Sequence, residues 1–442
     1  MTFTNRQFFT LIIPLMVETI LNSLMGTADT IMVTTAGNEA ISAVSLVDSI
    51  NILVINIFAA MATGGAIITS QFIGKKDYKS EAHTVSQLVL SIAAISLTGT
   101  VLCVIFKNQL LSVVFGCLDS SIMANCRIYF LITALSYPFI ALYNGCAAVF
   151  RADKNSRLPM IVSTVSNVIN VGGNAVLIFV FKMGVTGAAL STLAARLFSA
   201  VTMLIFLRLT KQHIKINSYL AIRPDFAVMG KILKIGIPAG IENGMFQFGK
   251  LAIQSSVSLL TATQIAAQAM VASLESFSCQ AAIGIGLGMM TVVGQCIGAG
   301  DREGAVACIK KLSLWAFIAL LISSFAVSGI VFPVIYFSRM EAEAAKITIY
   351  LTIAVHIIKP FVWCGSFIPA YGLRAAGDVR FCMITSIITM FTFRVAIAVI
   401  LIRMAGFGPE AVWIAMVTDW TVRSVIFFWR FKSRKWLDYN IV

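Results

Sequence analysis

Residues 14–20 read PLMVETI and residues 238–244 read PAGIENG. In each, a proline is followed four residues later by a glutamate inside an otherwise apolar run, and the two prolines stand 224 residues apart. Laid on one another without a gap, residues 13–77 and 237–301 match Ile13 with Ile237, Pro14 with Pro238, Glu18 with Glu242 and Gly64 with Gly288. ISAVSLVDS (41–49) meets IAAQAMVAS (265–273), and SQFIGKKD (70–77) meets GQCIGAGD (294–301). Further on, RADKNSRLPMI (151–161) falls on RAAGDVRFCMI (374–384), and GVTGAAL (184–190) on GPEAVWI (408–414). The chain is a tandem repeat, and each copy opens with a carboxylate in an apolar setting.

Composition states the solvent. Of the 442 residues 59% are hydrophobic and only 12% charged, with a mean hydropathy of +0.91. A soluble protein carries nearer a quarter charged residues. Twelve apolar runs are long enough to cross a bilayer: about 10–34, 41–68, 84–106, 128–150, 159–182, 187–208, 231–258, 265–292, 312–336, 347–371, 381–404 and 410–431. Lipid cannot satisfy exposed backbone groups, so each run is expected to be a helix. The start MTFTNRQFF has no basic leader or small-residue cleavage site, so the first run is expected to be a retained span. The expectation is an all-α membrane protein of two six-helix lobes, residues 1–208 and 231–442, joined by a polar cytoplasmic linker at 209–230. Two copies with an even number of spans each share one orientation, and such parallel repeats commonly bind substrate between them.

The formal charge of +14 is topogenic rather than a nucleic-acid signal. With loops numbered alternately, 22 basic residues fall on the side of the termini and 6 on the other. The positive-inside rule then places both termini in the cytoplasm. Nine cysteines form no CxxC pair and three histidines are scattered, so no metal site is expected. Cys117 and Cys126 share a predicted outside loop, where two free thiols are the simpler expectation. The glycines of GIGLGMM (284–290) follow no strand and read as helix packing, not a dinucleotide loop. No HExxH, GxSxG or GxxxxGK[ST] occurs, so neither an intramembrane enzyme nor direct use of ATP is expected.

Ionisable groups inside the spans are costly and mark function or pairing. Six are acids, Glu18, Asp29, Asp48, Glu242, Glu275 and Asp419; five are bases, Arg196, Lys250, Lys359, Arg394 and Arg423. The N-terminal half holds three acids against Arg196, whereas the C-terminal half is nearly balanced. That surplus points to a cation or proton in the N-terminal lobe. Asp419 and Arg423 form an i,i+4 pair. Glu242, Lys250, Glu275 and Arg394 read as a charge network able to switch partners, with Lys250 balancing Glu242. Glu18 is expected to join the N-terminal surplus, roughly 16 Å along the helix from Asp29.

Several stretches resemble the multidrug and toxic compound extrusion (MATE) family of the MOP superfamily: NSLMGTADTIMV (22–33), MAT-GG (61–65), QFIGKKD, QCIGAGD, RADKNSR, LRAAGD and WIAMVTDWTVRSVIFFWRFKSRKW (413–436). The resemblance implies twelve helices, a central cavity facing alternately inward and outward, and export of cationic amphipathic compounds against Na⁺ or H⁺ without a resident cofactor. It implies that Asp29 binds the coupling ion and that Pro14 is the bend of the first helix. In one branch of the family the remaining ligands are an asparagine, a second aspartate and a threonine, which fall on Asn170, Asn174 and Thr192. The aspartate is thus replaced by Asn174, which favours a proton over Na⁺. A bacterial cytoplasmic membrane and a functional monomer are expected by the same analogy. A lipid-linked sugar flippase of the same superfamily is the alternative; those relatives usually have more spans and a basic cavity.

Overall fold

The computed structural model of the chain describes residues 3–35, 37–116, 119–210, 213–216, 219 and 222–439. Among them there is no strand. The first repeat comprises Asn5–Thr34 (α1), Asn38–Lys75 (α2), Tyr78–Ile105 (α3), Lys107–Phe115 (α4), Ser120–Leu135 (α5), Tyr137–Ala152 (α6), Arg157–Asn174 (α7) and Gly184–Leu209 (α8). The second comprises Phe226–Val257 (α9), Ala262–Ser278 (α10), Gln280–Gly298 (α11), Arg302–Ser338 (α12), Ala342–Ala376 (α13), Val379–Thr389 (α14), Ala396–Arg403 (α15) and Glu410–Lys432 (α16). A π-helical turn, Ala175–Val180, extends α7, and another, Met390–Val395, joins α14 to α15. Among the described residues, ten helical segments are long and apolar enough to span a membrane, and the bent pair α5–α6 makes an eleventh. The twelfth run is α9, where Lys231, Lys234, Glu242 and Lys250 interrupt the apolar sequence.

Local sequence explains where the helices stop. After α2 the chain turns through Lys76 at φ 60, and Asp77 then caps α3 by accepting a bond from the Ser80 N–H at 3.1 Å. In the second copy Gly300 at φ 73 makes the same turn, and Asp301 caps α12 through the Gly304 N–H at 2.8 Å. The shared aspartate is therefore an N-cap. The left-handed residue is not the shared glycine of the motif but the second residue after it, lysine in one copy and glycine in the other. Lys154 and Gly377 hold the equivalent left-handed positions after α6 and α13.

Contacts divide the chain into two compact units, Leu21–Gly240, and Met1–Ile20 with Ile241–Val442. A boundary at the linker would keep residues 1–208 and 231–442 apart. The contact boundaries instead cut α1 and α9, so each unit contains the opening half-helix of the other repeat. Glycine makes this possible. A Cβ on Gly64 in α2 would lie 2.7 Å from the Ile232 carbonyl oxygen and 2.9 Å from the Gly236 nitrogen of α9. In the other unit a Cβ on Gly284 would lie 2.8 Å from the backbone of Met16, and one on Gly288 would lie 3.0 Å from Ile12. Backbones approach this closely only where a side chain is missing. Phe8, Leu11, Ile12 and Leu15 of α1 accordingly pack into one core with Ile285, Met289, Leu312 and Trp420. Glu18 therefore belongs to the unit of the second repeat, not to the acids of the first.

The described part of the linker docks on α3. Buried Gln87 donates to the Arg223 carbonyl at 2.8 Å and accepts from the Asp225 N–H at 2.9 Å. His83 Nε2 lies 2.9 Å from Asp225 Oδ2, and Tyr78 stacks on His213. The hydrogen bond from His83 holds the Asp225 carboxyl below its usual range. Cys126 is buried, its Sγ 3.8 Å from the Ala43 carbonyl oxygen; Cys117 lies outside the described residues.

Candidate functional site

In the unit Leu21–Gly240, a cavity of about 300 Å³ opens between α1, α6, α7 and α8. Its lining is mostly polar, and Asp29 and Arg196 are the charged groups in it. Asn167, Asn170 and Asn174 are spaced three and four residues apart on α7, which puts them on one helical face. Asn167 and Asn170 line the cavity, while Asn174 is fully buried at the end of α7, next to the π-helical turn. Such turns recur at functional sites because they re-aim side chains.

The four residues expected at the ion site come together. Asn174 Nδ2 donates to Asp29 Oδ1, and Asn174 Oδ1 accepts from Ser191 Oγ. Asn170 Nδ2 donates to Thr192 Oγ1 at 3.1 Å, and Thr192 donates to the Ala188 carbonyl at 2.9 Å. α7 and α8 approach closely here, since a Cβ on Gly173 would lie 2.8 Å from that of Ser191. A carboxylate only accepts, so Asn174 must turn its NH₂ toward Asp29. Its oxygen is then taken by Ser191. Asn174 thus steadies the carboxylate with a donor and offers it no oxygen ligand.

Sequence reasoning missed much of the surrounding lining. Asn22 accepts from Ser163 at 2.8 Å and from Asn167 at 2.7 Å, and Asn144 lines the wall. The seven-residue spacing of Asn22 and Asp29 was the available signal. Asp48, counted but not assigned, accepts from Asn51 at 3.0 Å and from Tyr129 at 3.2 Å. Asn51 in turn accepts from Tyr137 at 2.7 Å and from Thr133 at 3.3 Å. Arg196 interacts electrostatically with both Asp29 and Asp48, and donates to Ser136 at 2.7 Å where α5 breaks. Asp29 and Asp48 with one guanidinium leave a single negative charge when both carboxyls are ionised. One proton or one monovalent cation balances it.

The charge network expected in the second repeat resolves into separate sets. Glu242 pairs with Arg374 at 2.6 Å, not with Lys250. α13 runs on through Arg374, which places the guanidinium against α9. Glu275 pairs with Lys359 at 2.9 Å. The Lys359 ammonium also donates to the Glu275 carbonyl at 2.7 Å and to Ser278 Oγ at 2.6 Å, so all three of its protons are bonded. Asp419 takes Arg423 at 2.7 and 2.9 Å, the i,i+4 pair, and Arg394 at 3.3 Å. Lys250 feels the Arg394 guanidinium as a repulsion and the Glu275 carboxylate as an attraction. Glu18 is buried in the same unit. Pro14 lies inside the unbroken helix α1, where it removes one backbone hydrogen bond. Among the described residues, no cluster of three or more His, Cys, Asp or Glu side chains could hold a metal ion.

The repeat is visible in comparison with known proteins. The MatE family model matches twice, over residues 14–176 and 238–400, beginning at the paired prolines. An uncharacterized transporter, YisQ of Bacillus subtilis, is 25% identical over 439 residues, covering 98% of this chain and 95% of its own length. The probable multidrug resistance protein NorM of Thermotoga maritima is 24% identical and covers 98% of this chain and 93% of its own. Among solved structures, an outward-facing multidrug resistance MATE family transporter of the MOP superfamily superposes with a TM-score of 0.88. It is 17% identical, and the match covers 98% of this chain and 96% of that one. A MOP superfamily transporter from Pyrococcus furiosus matches with the same TM-score and coverage.

Proposed function

The chain belongs to the MatE family, and we propose that it is a secondary antiporter that exports cationic amphipathic compounds by alternating access, using H⁺ as coupling ion. The observation that carries the proton is the geometry at Asp29. Its nearest partner is an amide N–H, and Asp29 with Asp48 outweighs Arg196 by one charge, so the site takes up one positive charge without a ready-made set of oxygen ligands. Na⁺ is favoured by several oxygens in a shell, and Asn174 gives its oxygen to Ser191 instead. Asp29 then carries the proton, Asn174 and Ser191 hold the carboxylate in place, and Asn170 with Thr192 completes the polar wall. Protonation of Asp29 removes the negative charge that attracts a cationic substrate, which is the exchange an antiporter needs. The protein acts as a monomer in a bacterial cytoplasmic membrane, with both termini in the cytoplasm, no nucleic-acid partner and no resident cofactor.

The test is efflux of a cationic dye from proteoliposomes under an imposed pH gradient or an imposed Na⁺ gradient, comparing wild type with Asp29→Asn. Efflux driven by the pH gradient and reduced at least about tenfold in the variant is the expected result. Drive by Na⁺ alone replaces the coupling ion. No efflux under either gradient overturns the antiporter and favours a lipid-linked sugar flippase.

A further inference from the structure

A second cavity, of about 470 Å³, lies in the unit of the second repeat between the opening half of α1, α11 and α12. Its walls are apolar: Phe9, Ile12 and Met16 of α1 face Ile285 of α11 and Trp315, Ile318 and Ile322 of α12. Ser323 also reaches it, but its hydroxyl donates to the carbonyls of Ser278 at 2.7 Å and Leu320 at 3.0 Å. Phe9 stacks on Trp315 with ring centroids 4.9 Å apart, and Ile13, Ile318 and Ile322 are exposed along the flank.

Next to this groove, outside its lining, lies a cation. Lys311, one turn before Trp315 on α12, holds its ammonium 4.9 Å from the Phe8 ring centre and 5.5 Å from that of Trp315. Its oxygen partner is the neutral carboxamide of Asn5, and no carboxylate pairs with it among the described residues. Two aromatic faces and one amide leave the positive charge without a counter-charge. From Lys311 to Ile322 the helix rises roughly 16 Å, which is about half the ~30 Å hydrocarbon core of a bilayer, or one leaflet. A lysine and a tryptophan at the mouth of an apolar slot one leaflet deep match a lipid's own order of parts: charged head, interface, acyl chain.

We propose that this groove binds an anionic phospholipid, its phosphate on Lys311 and one acyl chain along Trp315, Ile318 and Ile322. A lipophilic cation does not suit the site, because its charge would lie beside Lys311. The bound chain packs against Ile13 and Met16, on either side of Pro14, so it braces α1 at the turn that lacks a hydrogen bond.

Quenching of Trp315 by brominated lipid tests this on the full-length chain in detergent micelles. The chain has six tryptophans, so the Trp315 signal is the difference between wild type and Trp315→Phe. Dibrominated phosphatidylglycerol is expected to quench it at about fivefold lower concentration than dibrominated phosphatidylcholine, the worth of one surface lysine for an anionic lipid. Lys311→Gln should make the two lipids equal. Ala319→Phe, which fills the groove from α12, should suppress quenching by both. Equal quenching by the two lipids in the wild type overturns the proposal, as does a preference that survives Lys311→Gln. Since Lys311 is only half-buried, its substitution tests the site without threatening the fold.

Discussion

Lys359 is completely buried, yet every proton of its ammonium meets an oxygen. A buried charge is tolerable when its partner is also charged and the remaining bonds are made, and it becomes expensive when one member is removed. Lys359→Met should therefore lower unfolding stability in detergent by about 3–5 kcal/mol, through the stranded Glu275. The double variant Lys359→Met with Glu275→Gln should recover most of that loss, as a double-mutant cycle on thermal unfolding would read. Equal damage in the single and double variants would mean that packing, not charge, fills the site. In the turn after α6, outside the spans, burial pushes the Asp153 carboxyl up to about 6, partly offset by Lys154 and His213. Its value is raised by folding, so its contribution to stability is complete below about pH 4 and is lost as pH rises through about 6. The group is partly open to water, so the effect is of order 1 kcal/mol after screening. The loss of stability between pH 4 and pH 7 should thus be smaller in Asp153→Asn than in the wild type, measured as the shift in thermal midpoint.

At the scale of elements, the two repeats exchange their opening half-helices, and glycine decides where. Gly64 and Gly284 face backbone atoms of the helix packed on them, which cannot rotate away as a side chain can. Gly64→Ala and Gly284→Ala should each cost about 1–3 kcal/mol by overpacking. Gly172 on α7 is the control, because a Cβ there meets nothing within 4 Å. Gly172→Ala should be neutral or stabilising by up to about 1 kcal/mol, the helix propensity alone. Thermal unfolding of the three variants side by side separates close packing from propensity; equal loss in all three would remove the packing argument. The register 14/238 and 64/288 was readable in the sequence, as was the packing role of GIGLGMM. Which helix each glycine faces was not, because a repeat aligned on itself says nothing about which copy packs on which.

Across the whole molecule, the sequence by itself determined the membrane setting, the helical class, the twofold repeat, and the family. The first three follow from properties that add up along the chain, apolar length and the period of the repeat, and the family from the stretches that resemble it. The resemblance to the MATE family pointed to Asp29, Asn170, Asn174 and Thr192, which polarity alone would not have singled out among the other polar groups of these helices. The tertiary structure alone decided the pairings between helices. Glu242 takes Arg374 and Glu275 takes Lys359, across 132 and 84 residues of chain. Charge counts per half could not find these partners, because a salt bridge depends on two side chains meeting within a few ångströms while a count sees only the total. The same reason moved Glu18 out of the acidic half to which its position in the sequence had assigned it. It also hid the apolar groove beside Lys311: each wall is an ordinary lipid-facing stripe, and three helices must converge before the stripes enclose a space.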